Sequence, residues 1–239
     1  MGLSNSYFRF KQFIVNQGEC AMKVTTDACI QGAWTPALDG TERILDVGTG
    51  TGLLALMLAQ KATDALIDAA ELDNKAAAQA MQNFSDSPWN EQLTVISCDI
   101  KEYHAPYKYD LVISNPPFFS NSLQGPAANR NMARHTDTLS YNDLLDAIDR
   151  NLAPNGLASI LLPRPESLLF ENLIEEKGWH IHNCLQIKDN DNAAIKRVVL
   201  LTGRIAPDVR AAETLVIKQH DGSYTDKFKQ LLSPYYLQL

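Results

Sequence analysis

The stretch that most narrows what this chain can become is Ile113-Ser114-Asn115-Pro116-Pro117-Phe118. A largely apolar run, Tyr109 to Ile113, leads into it and reads as a strand. Two prolines then stop that strand, because each fixes its own φ, lacks a backbone donor and drives the preceding residue out of the helical region. The Asn115 side chain and the Pro116 carbonyl are left at the strand's carboxyl end, with the Phe118 ring just beyond. In an open parallel sheet that edge is where ligands bind. Two oxygen acceptors and a ring face suit an aromatic amine, the acceptors taking its hydrogens and the ring stacking on its π system. The plain structural alternative is a proline-rich turn with a core phenylalanine.

A second constellation precedes it. Leu45-Asp46-Val47-Gly48-Thr49-Gly50-Thr51-Gly52 follows a predicted strand (Arg43–Val47) and opens a predicted helix (Thr51–Gln60), where glycines permit close backbone approach to a ligand. The dinucleotide fingerprint would need its last glycine at position 53, where Leu53 stands, which weakens a dehydrogenase reading. A second strand, Ala65–Glu71, ends in a carboxylate some twenty residues beyond the loop, placed to accept ribose hydroxyls. Asp73 reads as the cap of a helix over Asn74–Phe84. The third strand, Leu93–Ser97, is followed by Cys98-Asp99-Ile100, whose carboxylate is placed to accept from the amino edge of a bound adenine.

Composition excludes several classes. The apolar share is 45%, with no apolar run long enough to span a membrane. The N-terminus lacks a signal-peptide pattern, so a cytoplasmic protein is expected. Cys20, Cys29, Cys98 and Cys184 are scattered without a C-x-x-C pair, which argues for reduced structural thiols and against a zinc site. A net charge of -7 disfavours nonspecific coating of nucleic acid, though a local basic patch remains compatible with it.

The rest of the chain reads in order. Tyr7–Phe13 alternates aromatic with basic or polar residues, as a strand or as a stacking surface for RNA in which Phe8, Phe10 and Lys11 take part. Thr26 or Asp27 is the expected N-cap of a helix over 28–38, with a cofactor contact as the alternative role for Thr26. The polar stretch from Phe119 to Ser140 is long enough to be functional, and Arg130, Arg134 and His135 could hold phosphates there. A helix over Tyr141–Leu152, a strand over Gly156–Leu162 and a helix over Pro165–Lys177 follow. Trp179–Ile187 and Ala194–Thr202 form an antiparallel hairpin across Asp189-Asn190-Asp191-Asn192. The predicted fold is α/β, a doubly wound, seven-stranded, mostly parallel sheet in a single domain over 1–239. Residues 1–40 are an N-terminal extension, 41–203 the core sheet and 204–239 a small C-terminal appendage.

Asp46 to Gly52, Glu71, Asp99 and Asn115-Pro116-Pro117-Phe118, in this order, resemble the S-adenosylmethionine-dependent class I methyltransferases that modify a planar nitrogen. Those motifs alone leave adenine N6, guanine N2 of ribosomal RNA and protein glutamine N5 open as targets. The flanks narrow the resemblance. Phe10-Lys11-Gln12-Phe13, Met22 to Asp27, Gly32-Ala33-Trp34, Leu53 to Gln60, Ser87-Pro88-Trp89 and Tyr235-Tyr236-Leu237 are similar to the bacterial tRNA1(Val) adenine-N6 methyltransferase family, over nearly the whole chain. Phe118 stands where tyrosine is common, a change that preserves stacking.

The resemblance implies a cytoplasmic enzyme that uses S-adenosylmethionine and no metal. It would methylate the adenine adjacent to the anticodon of valine tRNA. It implies cofactor contacts for Asp46, Gly48, Gly50, Gly52, Glu71, Asp99, Ile100, Thr26 and Asn115, with the chemistry at Asn115, Pro116, Pro117 and Phe118. Arg9, Lys11, Arg130, Arg134 and His135 are the candidates for RNA contact. A non-catalytic module that merely keeps the fold is the rival class, and an intact Asn115-Pro116-Pro117-Phe118 speaks against it.

Overall fold

A computed structural model describes residues 6–20, 22–37, 40–117 and 139–239. Phe118, Arg130, Arg134 and His135 lie outside the described residues. The chain opens with a two-stranded hairpin, β1 (Tyr7–Arg9) and β2 (Ile14–Asn16). It continues through α1 (Thr26–Trp34), β3 (Arg43–Val47), α2 (Leu53–Ala59), β4 (Leu66–Glu71), α3 (Asn74–Ser85), β5 (Leu93–Ser97) and β6 (Tyr109–Ser114). Then come α4 (Tyr141–Asn151), β7 (Leu152–Pro163), α5 (Arg164–Glu176), β8 (His180–Asn190), β9 (Arg197–Gly203), β10 (Ala211–Lys218) and α6 (Asp226–Leu232).

The main sheet runs β10-β8-β9-β7-β6-β3-β4-β5. All its neighbouring pairs are parallel except those of β9, which lies antiparallel between β7 and β8. Both faces are covered, as a parallel sheet requires. Ile44, Leu111 and Ile113 pack with α1, α2 and the hairpin, while Leu45, Val47 and Val112 pack with α4 and α5, so alternate residues of the same strands enter opposite cores. Among the described residues no helix is long and apolar enough to cross a membrane.

The structure differs from the expectation in several places. The strand expected over Tyr7–Phe13 ends at Arg9, where the chain turns back into β2, and the strand expected from Gly156 already begins at Leu152. The sheet has eight strands, because Ala211–Lys218 joins it parallel to β8. Leu215 and Ile217 alternate inward along that strand, and Phe228, Leu232 and Tyr235 enter the same core as the N-terminal hairpin. Their pattern announces a half-buried strand and helix, but pairing partners are set by long-range packing.

The cap of α1 is Thr25, whose side chain accepts from Ala28 N, so Thr26 is already helical. That helix ends at Trp34 because Pro36 forces Thr35 into an extended conformation. Phe8, Phe10 and Phe13 are not a surface for stacking. They pack with Tyr236 and Trp89, Phe10 and Phe13 being buried.

Candidate active site

The loop from Gly48 to Gly52 leaves β3 with its three glycines at φ of 70°, 56° and 81°, a region that costs an L side chain about 1–2 kcal/mol. A Cβ at Gly52 would also meet the Phe84 ring at 2.5 Å, whereas at Gly48 and Gly50 it would point into open space. The loop is pinned to β4 by Gly48 N and Thr49 N, which both donate to Ala70 O at 2.9 and 3.1 Å. From α3, the buried Asn83 donates to Thr51 O and exchanges two bonds with Asn16, hanging the N-terminal hairpin on the loop.

Asp46 lies behind the loop, not on its open side. Fully buried, it accepts from Thr49 Oγ1 at 2.6 Å and Ala55 N at 3.2 Å. Burial pushes its carboxyl up to about 7, against the pull of those two bonds. Through those two bonds one carboxylate oxygen braces the turn, while Oδ1 has no partner among the described residues.

On the open side is a cavity of about 390 Å³, the size of a small-molecule site. Gly48, Glu71, Asp99, Ile100 and Pro117 line it together, drawn from the ends of four strands. Glu71 Oε2 accepts from Gly50 N at 2.8 Å and Oε1 from Asp73 N at 2.9 Å, so each oxygen keeps a lone pair for a ligand. Asp99 Oδ1 accepts from Lys101 N at 2.9 Å, and its other oxygen lies 3.5 Å from Lys101 Nζ.

Two thiols flank Glu71. Burial first, then neighbouring carboxylates including Glu71, raises Cys20 to about 11 and also raises Cys98, so both stay protonated and unreactive at neutral pH. Among the described residues no cluster of side chains could hold a metal ion.

Asn115 follows the last residue of β6. Ser114 Oγ donates to Val47 O at 2.9 Å, which ties this strand end to the start of the glycine loop. The segment between β2 and α1 crosses nearby, closed by Val24 N donating to Gln17 Oε1. It brings Met22 Sδ to 3.8 Å from Asn115 Nδ2. Asn115 Oδ1 is buried and has no partner among the described residues, a state rare for a buried acceptor.

Other sequence candidates fall elsewhere. Thr26 is exposed and hydrogen-bonds Tyr236, so it packs the C-terminal segment on α1. Lys11 Nζ donates to Ser233 O at 2.6 Å and its backbone N to Tyr235 O, which commits it to the same segment. Arg9 is exposed on the hairpin.

Two sets of residues escaped the sequence reading. Leu72 and Leu139 line the cavity, Leu72 being 56% exposed beside Glu71. An apolar residue between two carboxylates at a strand tip is a usable sign of a ligand wall. Gln31 is the other. It is a fully buried polar residue in α1, and its signal was a glutamine at the inward spacing shared with Ala28 and Thr35.

A glycine loop, carboxylates on successive strand tips and an Asn-Pro-Pro turn at the carboxyl edge of a sheet with one reversed strand define a class I methyltransferase. Residues 35–142 match the model of the methyltransferase small domain. Two relatives carry the name tRNA1(Val) (adenine(37)-N6)-methyltransferase. That of Dyadobacter fermentans is 40% identical over 236 residues, covering 98% of both chains. That of Aeromonas hydrophila is 44% identical over 240 residues, covering 98% of this chain and 99% of the relative. The chain belongs to this family.

Among solved structures, a predicted O-methyltransferase from Agrobacterium tumefaciens superposes with a TM-score of 0.67 at 16% identity, over 87% of this chain and 96% of that one. A glycopeptide N-methyltransferase complexed with S-adenosyl-L-methionine gives 0.56 at 10% identity, over 78% and 97%. At such identities the likeness speaks for the fold alone.

Proposed function

We propose that this chain methylates the exocyclic N6 amine of the adenine beside the anticodon of valine tRNA, with S-adenosylmethionine as methyl donor. The relatives' shared name supports the substrate, and the buried, unpartnered Asn115 Oδ1 is the observation that carries the chemistry. The same Asn115 turn would serve guanine N2 or glutamine N5 equally, and the names of the relatives favour adenine over both. Acting on tRNA, the protein would work in the cytoplasm. The reading takes 1–239 as one methyltransferase domain.

The donor set fits such a cofactor. Glu71, with a free lone pair on each oxygen, would hold ribose hydroxyls. Asp99 and Ile100 would hold the adenine, with Leu72 on its face. The open space over Gly48 and Gly50 would admit the methionine half. When bound, S-adenosylmethionine supplies an electrophilic methyl group.

An aromatic amine is a poor nucleophile because its lone pair is delocalised into the ring. Asn115 Oδ1 and the Pro116 carbonyl accept its two hydrogens, which favours a pyramidal nitrogen and stabilises the positive charge that grows on it. Held in line with the methyl group, the amine needs no dedicated base, since the product cation loses its proton to water. Phe118 would stack on the base once it is swung out of the anticodon loop, where extrusion costs less than in a duplex.

The test is to incubate the purified protein with unmodified valine tRNA and labelled S-adenosylmethionine, then identify the product nucleoside by mass spectrometry. N6-methyladenosine next to the anticodon is expected. A methylated guanine, or label found only on a protein glutamine, would overturn the substrate and leave the Asn115 chemistry standing.

A further inference from the structure

We propose that Gln31 is a positioning residue for methyl transfer: its side-chain amide fixes the peptide that carries Asn115. The inference rests on the function proposed above. Gln31 is fully buried on α1, and its Nε2 donates to Ser114 O at 2.9 Å and Ser159 O at 3.1 Å. Both hydrogens of the amide are therefore used, one on each of the adjacent strands β6 and β7.

The Ser114 carbonyl belongs to the peptide whose nitrogen is that of Asn115, so Gln31 sets the plane from which the Asn115 side chain departs. Little else could set it from the following side, because Pro116 brings no N–H. Ser114 is held a second time through its hydroxyl on Val47 O, one residue before Gly48. A residue tied both to α1 and to the glycine loop gives Asn115 a fixed distance from the site of the methyl group.

Stability alone is a poor account of Gln31. Its Oε1 is buried without a partner among the described residues, a cost that an apolar side chain would avoid. What an apolar side chain could not do is donate to two carbonyls. One turn along the same face, Thr35 Oγ1 pairs with Ser159 Oγ at 2.6 Å. That bond anchors the helix to β7 without touching β6, so Thr35 is the natural control.

The experiment compares Gln31→Met, Gln31→Asn and Thr35→Val in the full-length protein. It reads single-turnover methyl transfer to tRNA, cofactor affinity by calorimetry and melting temperature. Gln31→Met should slow the transfer by about 10–100-fold, the scale of a small misplacement of a reacting group, with cofactor affinity within about twofold. Gln31→Asn, whose amide is one methylene short, should fall between it and wild type, and it decides the matter if Gln31→Met does not fold. Thr35→Val should cost less than about threefold in rate at a similar loss of melting temperature.

In an Asn115→Ala background the Gln31 effect should vanish, because the group being positioned is gone. Rates within about twofold of wild type for both Gln31 variants would overturn the proposal. So would an equal loss in Thr35→Val, or a Gln31 effect that persists undiminished in the Asn115→Ala background. A wild-type protein that methylates no adenine sinks the functional reading itself. One that does, and loses rate in Asn115→Ala but not in the Gln31 variants, sinks only this inference.

Discussion

The two sides of the cleft are built by different means. On the β3–β5 side the groups are held by backbone close at hand: Glu71 by Gly50 N and Asp73 N, Asp99 by Lys101 N, and the glycine loop by Ala70 O. On the β6 side the Asn115 turn is held by side chains across large gaps in sequence, Gln31 to Ser114 over 83 residues and Ser114 to Val47 over 67. On the proposed function, the first arrangement would recognise the cofactor through groups set on neighbouring strand tips. The second would fix the Asn115 acceptor relative to that cofactor, and it depends on three separate elements meeting. Binding and rate should therefore come apart when the sides are altered one at a time.

The strongest attempt to break that division is Asn115→Ala. Removing one preorganised partner of a developing charge costs about 10²–10³ in rate. Turnover should fall by that amount while calorimetric affinity for S-adenosylmethionine stays put. Wild-type turnover at saturating substrate would refute the acceptor chemistry.

Glu71→Ala is the reciprocal case. A charged hydrogen bond is worth about 1.5–3 kcal/mol, so cofactor affinity should drop by at least about tenfold. The rate at saturating cofactor should change much less. Unchanged affinity would remove Glu71 from the site, and a rate loss that saturating cofactor cannot relieve would show that the two sides are not separable.

The same contrast explains what could be read from the sequence. Glu71, Asp99 and the glycine loop were legible because spacing along the chain fixes their place on successive strand tips. Asn115 was legible because prolines dictate the turn it sits in. Asp46 was placed on the right loop, but nothing local reveals that Thr49 Oγ1 and Ala55 N both bond one of its oxygens and bury it. Gln31 could not be tied to Asn115 without knowing that α1 lies over β6 and β7. Likewise, β10 was recognisable as an alternating segment but not as a neighbour of β8, because strand pairing is a tertiary choice.

Asp46 offers a pH test confined to the cofactor side. Its carboxyl is raised from an ordinary 3.8 to about 7 by burial, so the folded protein holds a proton there that the unfolded chain has released. The stability from this group is fully present below about 3.8 and is lost as pH rises through about 7. The slope is bounded by one proton, about 1.4 kcal/mol per pH unit. Melting temperature measured across that range should decline more steeply in wild type than in Asp46→Asn, which has no proton to lose. Parallel curves would mean that the Asp46 carboxyl is not perturbed. Because Asp46 braces the loop and the first turn of α2, away from Asn115, the pH dependence of turnover at saturating cofactor should change little in the variant.

The smallest expected effect lies on the other side and asks how locally Asn115 is held. Lys61 Nζ donates to the carbonyls of Gly32, Ala33 and Thr35, closing the C-terminal end of α1. A cation there also faces the negative end of the helix dipole. Burial pulls its ammonium down to about 8, so at neutral pH it remains mainly charged and able to fill this role. Lys61→Met keeps most of the apolar stem and removes the donors, at a cost of about 1.5–3 kcal/mol in stability. Gln31 sits at the start of that last turn, with its own two bonds to β6 and β7 intact. Melting temperature should therefore fall by a few degrees while the rate of methyl transfer stays within about threefold of wild type. A rate loss approaching that of Asn115→Ala would show that the whole of α1, and not the Gln31 amide alone, sets the position of the acceptor.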